Sequence, residues 1–167
     1  MKKYELTEET VTVYGKTLYR IRAVRDFGSV KTGEFGGYIE KEENLSHFGN
    51  AWVSGNAWVF DNARVYDDAW VCGDAKVYGD AWVSGNAEVF NTMHFFVQGP
   101  IGSRNGFITF YRTKDDTVEV RCGCFSGSLQ EFVNQVEETH GGSRYEKEYK
   151  LAAELAKVCI RLEGESR

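Results

Sequence analysis

The chain is short of positive charge, of histidine and of long apolar runs. Its 20 Lys and Arg are outnumbered by 25 Asp and Glu, giving a net charge of −5. Non-specific binding of a nucleic-acid polymer needs a cationic surface, so this balance argues against that class. No apolar run is long enough for a membrane span and no secretory leader opens the sequence. Both absences predict a cytoplasmic protein with no membrane partner. Only three histidines are present, His47, His94 and His140. A zinc site built from three histidines across successive turns would need more than His47 and His94 supply. The four cysteines are Cys72, Cys122, Cys124 and Cys159. Cys122 and Cys124 fall on one strand face without a second ligand pair at zinc-like spacing, so reduced thiols, no metal and no cofactor are expected. Gly33-Glu-Phe-Gly-Gly37 lacks the Gly-Lys-Ser/Thr of a phosphate loop and reads as a turn.

What is present in excess is a six-residue repeat that starts at Ala51: AWVSGN, AWVFDN, ARVYDD, AWVCGD, AKVYGD, AWVSGN, AEVFNT. Alanine opens each unit, valine stands third, and Gly or Asp followed by Asn or Asp usually closes it. A short fixed period implies a stacked, quasi-one-dimensional architecture. Ala-x-Val-x reads as a four-residue strand with Ala and Val on one face. The next two residues form a corner, since Gly, and less readily Asn and Asp, accept positive φ. Three units then close a triangular coil of eighteen residues, a parallel β-helix.

Adding eighteen gives the stack. Inside, Val53 lies under Val71 and Val89, and Val59 under Val77. Outside, Trp52 meets Trp70, Trp58 meets Lys76, and Arg64 meets Trp82. One unit earlier, Leu45–Asn50 fits the frame with His47 in the valine slot. Trp52, Trp58, Trp70 and Trp82, with Phe60, Tyr66, Tyr78 and Phe90, point outward. So much apolar surface requires a cover: terminal segments of the same chain, sister subunits, or a ligand or partner.

The flanks differ in character. Residues 1–44 read as a β-rich cap with a hairpin of Thr10–Tyr14 and Lys16–Val24 turning near Gly15. Arg20, Arg22, Arg25 and Lys31 form a local basic set, either a solvated face or an anion site. Residues 45–92 are the repeat. Residues 93–167 read as a small α+β module. It contains strands at Phe95–Gln98, Phe107–Arg112 and Thr117–Cys124, then helices opened by capping boxes at Ser128–Glu131 and Ser143–Glu146. In the loop Gly99–Gly106, Gly102-Ser103-Arg104-Asn105 offers exposed backbone N–H groups, two polar side chains and a guanidinium. It is either an anion site or a β-turn with a surface arginine.

The repeat resembles the hexapeptide-repeat transferases. That resemblance implies a left-handed coil, making the expected fold class mainly β: a short left-handed parallel β-helix with an N-terminal β cap and a C-terminal small α+β module. It also implies a homotrimer. The stretch Gly36-Gly-Tyr-Ile-Glu-Lys-Glu-Glu-Asn-Leu-Ser46 is similar to phage and prophage proteins. The tail, with Gly102-Ser-Arg-Asn105, Gly123-Cys-Phe-Ser-Gly127 and a helix start at Glu131-Phe132, is similar to the same proteins. An acyltransferase using acyl-CoA would need a histidine base and usually a loop projecting from the coils; the repeat runs without insertion. The expectation is therefore a non-catalytic, homo-oligomeric phage counter-defence protein in the host cytosol, sequestering a small anionic, nucleotide-like immune signal. Its expected ligand residues are Ser103, Arg104, Asn105, Arg20 and Arg22, with Trp52, Trp58, Trp70 and Trp82 as the oligomer face. The alternatives are an inhibitor binding a host defence protein directly, and the CoA-dependent acyltransferase.

Overall fold

The computed structural model describes residues 1–163, and the chain divides into two units, Met1–Thr92 and Met93–Arg167. The first unit opens with a hairpin of β1 (Tyr4–Val13) and β2 (Lys16–Ala23), followed by β3 (Phe35–Ile39). Tyr14 and Gly15 make the hairpin turn, both with positive φ. The hairpin is longer than the sequence predicts, and β3 takes the place of the expected turn at residues 33–37. After a 3-10 turn at Glu42–Asn44 come seven two-residue strands. They are β4 (Trp52–Val53), β5 (Trp58–Val59), β6 (Arg64–Val65), β7 (Trp70–Val71), β8 (Lys76–Val77), β9 (Trp82–Val83) and β10 (Glu88–Val89).

These strands pair in parallel at the expected spacing. Trp52 lies beside Trp70 and Glu88 beside Trp70, Trp58 beside Lys76, and Arg64 beside Trp82. Every opening alanine and every valine of the repeat is buried at 0–2% exposure. Corners follow at Gly55, Asp61, Asp67, Gly73, Gly79 and Gly85, all with positive φ. At Gly73 a Cβ would stand 2.7 Å from the carbonyl oxygen of Phe90. Glycine there answers a close approach as well as a turn.

The expected fold class, a left-handed parallel β-helix between a cap and a tail, is corrected by the sheets themselves. Among the described residues the protein is mainly β with two helices and four small sheets of mixed, parallel and antiparallel kind. Their orders are β1-β2-β3-β5-β8, β10-β7-β4, β6-β9 and a separate four-stranded sheet in the second unit. Two physical causes separate this from the expectation. Each repeat pairs over only two residues rather than four, because the residue after valine already enters the corner. And β3, antiparallel to β2, runs parallel to β5, so hairpin and repeat strands share one mixed sheet.

The frame also changes before Trp52. Tyr38 pairs with Trp58 and Ile39 with Val59, a spacing of twenty, and Leu45 bridges Val65 at the same spacing. Leu45, 1% exposed, therefore takes the valine slot assigned to His47. The corner Ser46–Asn50 is two residues longer than the others and carries His47 at its centre. Asn50 and Ala51 both donate their backbone N–H to the Asp67 carbonyl at 2.8 Å, which closes it.

The second unit is an antiparallel sheet of β11 (Phe95–Ile101), β12 (Gly106–Arg112), β13 (Val118–Cys122) and β14 (Phe125–Ser128), with α1 (Leu129–His140) and α2 (Arg144–Cys159). The capping box at the start of α1 forms as the sequence predicts: Ser128 Oγ accepts from the Glu131 N–H and Glu131 from the Ser128 N–H. Ile108, Phe110 and Val120 of the sheet meet Phe132 and Val136 of α1 and Tyr149, Ala152, Ala153 and Ala156 of α2. The three alanines allow close approach of α2. The helix exposes a second apolar stripe, with Leu151, Leu155 and Val158 at 71%, 46% and 68%.

Candidate functional site

The basic set of the hairpin is largely neutralised by its own cross-strand partners. Arg20 pairs with both oxygens of Glu9 at 3.0 and 3.2 Å, and Arg22 pairs with Glu5. Glu5 faces Arg22 in the ladder because β1 begins at Tyr4, earlier than the sequence suggests. Arg20 also lies over the rings of Phe35 and Tyr38. Its Nε donates to the Gly36 carbonyl at 3.3 Å. The carboxyl of Glu9 is held below its usual range by hydrogen bonds from Tyr38 and Arg20. These contacts describe a paired strand face.

In the second unit, Ser103, Arg104 and Asn105 are exposed at the tip of the β11–β12 hairpin. Gly102 and Asn105 have positive φ, and the Asn105 N–H donates to the Gly102 carbonyl at 3.2 Å, as a turn requires. The Gly102 N–H is already taken by Glu148 at 2.7 Å. A Cβ on Gly102 would collide with the Tyr149 hydroxyl, which itself bonds Ser103. The Arg104 guanidinium makes no ion pair with another described residue.

The four tryptophans do not share one environment. Trp52 is fully buried inside the chain, edge-on to Phe27 at 5.3 Å and to Tyr4 at 6.4 Å. For this residue the start of the same chain supplies the cover. Trp58 lies under the Lys76 ammonium at 4.6 Å and beside Phe60, Val13 and Leu18. Trp70 donates from Nε1 to Ser54 Oγ at 3.1 Å. Trp82 is 37% exposed, with the Arg64 guanidinium 5.6 Å from its ring.

A buried polar cluster forms where no sequence motif points. It surrounds the long corner. Lys3 is fully buried, and its ammonium donates to the Ala51 carbonyl at 2.7 Å and sits 4.8 Å from the Phe27 ring. Tyr4 stacks on His47 at 4.3 Å and donates its hydroxyl to the Leu45 carbonyl at 2.7 Å. The backbone N–H of Lys3 donates to His47 Nδ1 at 3.2 Å. Arg25 reaches the His47 carbonyl at 3.4 Å. Burial and the nearby Arg25 push the Lys3 ammonium down to about 8, opposed by Asp68. Burial likewise lowers His47, opposed by Glu42. Among the described residues the buried Arg25 Nε has no hydrogen-bond partner, and the buried His47 Nε2 has only the Glu42 carboxylate at 3.7 Å. The one sequence signal for it was spacing. Ile39 and Leu45 stand six apart, but Leu45 and Val53 stand eight apart.

The remaining histidines are placed by packing. His140 ends α1 against Tyr145 and Tyr149. His94 is buried, and its imidazole is lowered by desolvation and by Arg112. Among the described residues no group of three or more His, Cys, Asp or Glu is placed to hold a metal ion. No helix of the described residues is long and apolar enough to cross a membrane. No family model matches the sequence, and no curated protein matches it.

Proposed function

We propose that this protein is a non-catalytic, self-associating binding protein for a small anionic, nucleotide-like ligand. One observation carries the reading: in an acidic chain, the fold fully buries Lys3 with no carboxylate partner among the described residues, and the half-buried Arg25 beside it has none either. The other buried cation, Arg112, has two, Asp116 and Glu163. A buried or half-buried cation without a counter-ion costs several kcal/mol of desolvation, roughly, unless an anion completes it. Through the likeness of residues 36–46 and the tail to phage and prophage proteins, the reading extends to counter-defence by sequestration of a host signal. Native mass spectrometry of protein purified gently from bacteria with an active nucleotide-signalling defence tests it. An oligomer carrying nucleotide-mass adducts is the expected result; a bare protein that also ignores added nucleotides would sink the reading.

A second reading, direct binding of a protein, is favoured by the exposed apolar stripe of α2. A partner recovered with the wild type and lost from a variant with charged residues on that stripe would support it over sequestration.

A further inference from the structure

We propose that the ligand's phosphate group binds at the long corner Ser46–Asn50, between Arg25, Lys3 and His47. This rests on the reading that the chain binds a small anion, and it assigns the site. Four observations converge there. Lys3 is 0% exposed and, among the described residues, has no carboxylate within ion-pairing distance, only carbonyls and the Phe27 ring. Arg25 makes a single long hydrogen bond, to the His47 carbonyl at 3.4 Å, and its Nε has no acceptor. His47 accepts at Nδ1 from Lys3, so its proton is on Nε2, which faces the Glu42 carboxylate only at a long 3.7 Å, a carboxylate shared with Lys2. Finally, the two cations lie close enough that Arg25 depresses the Lys3 ammonium.

Donors therefore outnumber good acceptors at this place: Arg25 Nε has none among the described residues, and His47 Nε2 has only the distant Glu42 carboxylate. Buried donors are normally satisfied, and a pair of like charges is normally separated. A tetrahedral oxyanion removes both anomalies, accepting from Arg25 Nε, from His47 Nε2 and from the ammonium. The acids around the cluster are Glu42, which pairs with Lys2 and lies 3.7 Å from His47 Nε2, and Asp68, which accepts from Asn50 at 2.9 Å. The Tyr4 hydroxyl is turned to the carbonyls of Glu42 and Leu45 and does not compete. Because Arg25 Nε and His47 Nε2 are both sealed from solvent, binding requires an outward shift of the corner. Phe48, next to His47 in the corner, is 81% exposed, so little burial opposes that shift, and its ring is available to stack on a base. The indole Nε1 of Trp52 is a further orphan, but its ring packs against Gly36 and Ile21 and takes no part.

The test is calorimetric titration with inorganic phosphate and pyrophosphate at fixed ionic strength, on wild type, Arg25→Gln, Arg25→Lys and Arg104→Gln, each checked for wild-type far-UV circular dichroism. Loss of charge-assisted hydrogen bonds predicts at least about tenfold weaker pyrophosphate binding in Arg25→Gln. Partial recovery is expected in Arg25→Lys, with less than about twofold change in Arg104→Gln. On the wild type, pyrophosphate should also move the His47 imidazole nitrogen resonances. Binding that survives Arg25→Gln but is lost in Arg104→Gln overturns the site and leaves the anion reading standing. A wild type that binds neither probe overturns both.

Discussion

The backbone N–H of Lys3 donates to Nδ1 of His47 at 3.2 Å, while the imidazole stacks on Tyr4 at 4.3 Å. This bond holds the ring neutral, since a protonated Nδ1 cannot accept. Protonation would also add a third cation beside Lys3 and Arg25. Desolvation lowers His47 in the fold from 6.5, so the unfolded chain binds the proton more readily. The stabilising contribution is complete above the unfolded pKa and is lost as pH falls through the folded one. Between pH 7.5 and 5 the melting temperature of the wild type should fall more steeply than that of His47→Gln, whose amide oxygen can still accept from Lys3. Parallel pH profiles would show that His47 is not linked to folding.

Lys3 gives the opposite end of the pH scale. Its ammonium is lowered to about 8 against 10.5 in the unfolded chain. Below pH 8 the fold carries a buried cation; between 8 and 10.5 it sheds the proton that the unfolded chain keeps, so this residue makes stability rise with pH there. Urea midpoints at pH 7.5, 9 and 10 should show that rise in the wild type and a flatter profile in Lys3→Met. The same slope in both proteins would remove Lys3 as its source.

Gly36 shows how tightly β3 lies on the repeat. A Cβ there would stand 2.5 Å from the Val53 carbonyl oxygen, 2.6 Å from Ile21 Cγ1 and 2.8 Å from Trp52 Cζ2. Backbone and core rings cannot retreat cheaply, so Gly36→Ala should cost about 2–3 kcal/mol as an overpacking change. Gly15→Ala at the hairpin turn meets nothing within 4 Å and pays only for its positive φ. It should cost about 1–2 kcal/mol. Equal losses in chemical denaturation would contradict this packing.

The contrast also marks what the sequence makes legible. The eighteen-residue pairing of Trp52 with Trp70 and Arg64 with Trp82 is written in recurring residue types, so adding a constant recovers it. The helix starts at Ser128 and Ser143 are local chemistry and equally legible. The fold class is not. How few residues of each unit pair, and how β3 joins β5 after pairing with β2, depend on long-range contacts. His47 was misplaced because its corner ends in Gly-Asn like the others and hides two extra residues. Arg20 and Arg22 lost their availability to Glu9 and Glu5, partners that only the strand register reveals. Lys3 carries no motif at all; only burial distinguishes it from Lys2.

The apolar stripe on α2 separates folding from association. Leu151 and Val158 are 71% and 68% exposed, while the buried face of the helix is Tyr149, Ala152, Ala153 and Ala156. Exposed positions away from caps and cores tolerate substitution within about 0.5 kcal/mol. Leu151→Lys with Val158→Lys should therefore leave the melting temperature of the second unit nearly unchanged. If self-association uses this stripe, two added charges on each copy must be desolvated at the contact, and the oligomer should dissociate. Sedimentation velocity of the two proteins at equal concentration reads the difference directly. A smaller species for the variant with an unchanged melt assigns the stripe to assembly. An unchanged sedimentation coefficient removes α2 from the interface, and a collapsed melt would mean that these side chains support the fold despite their exposure.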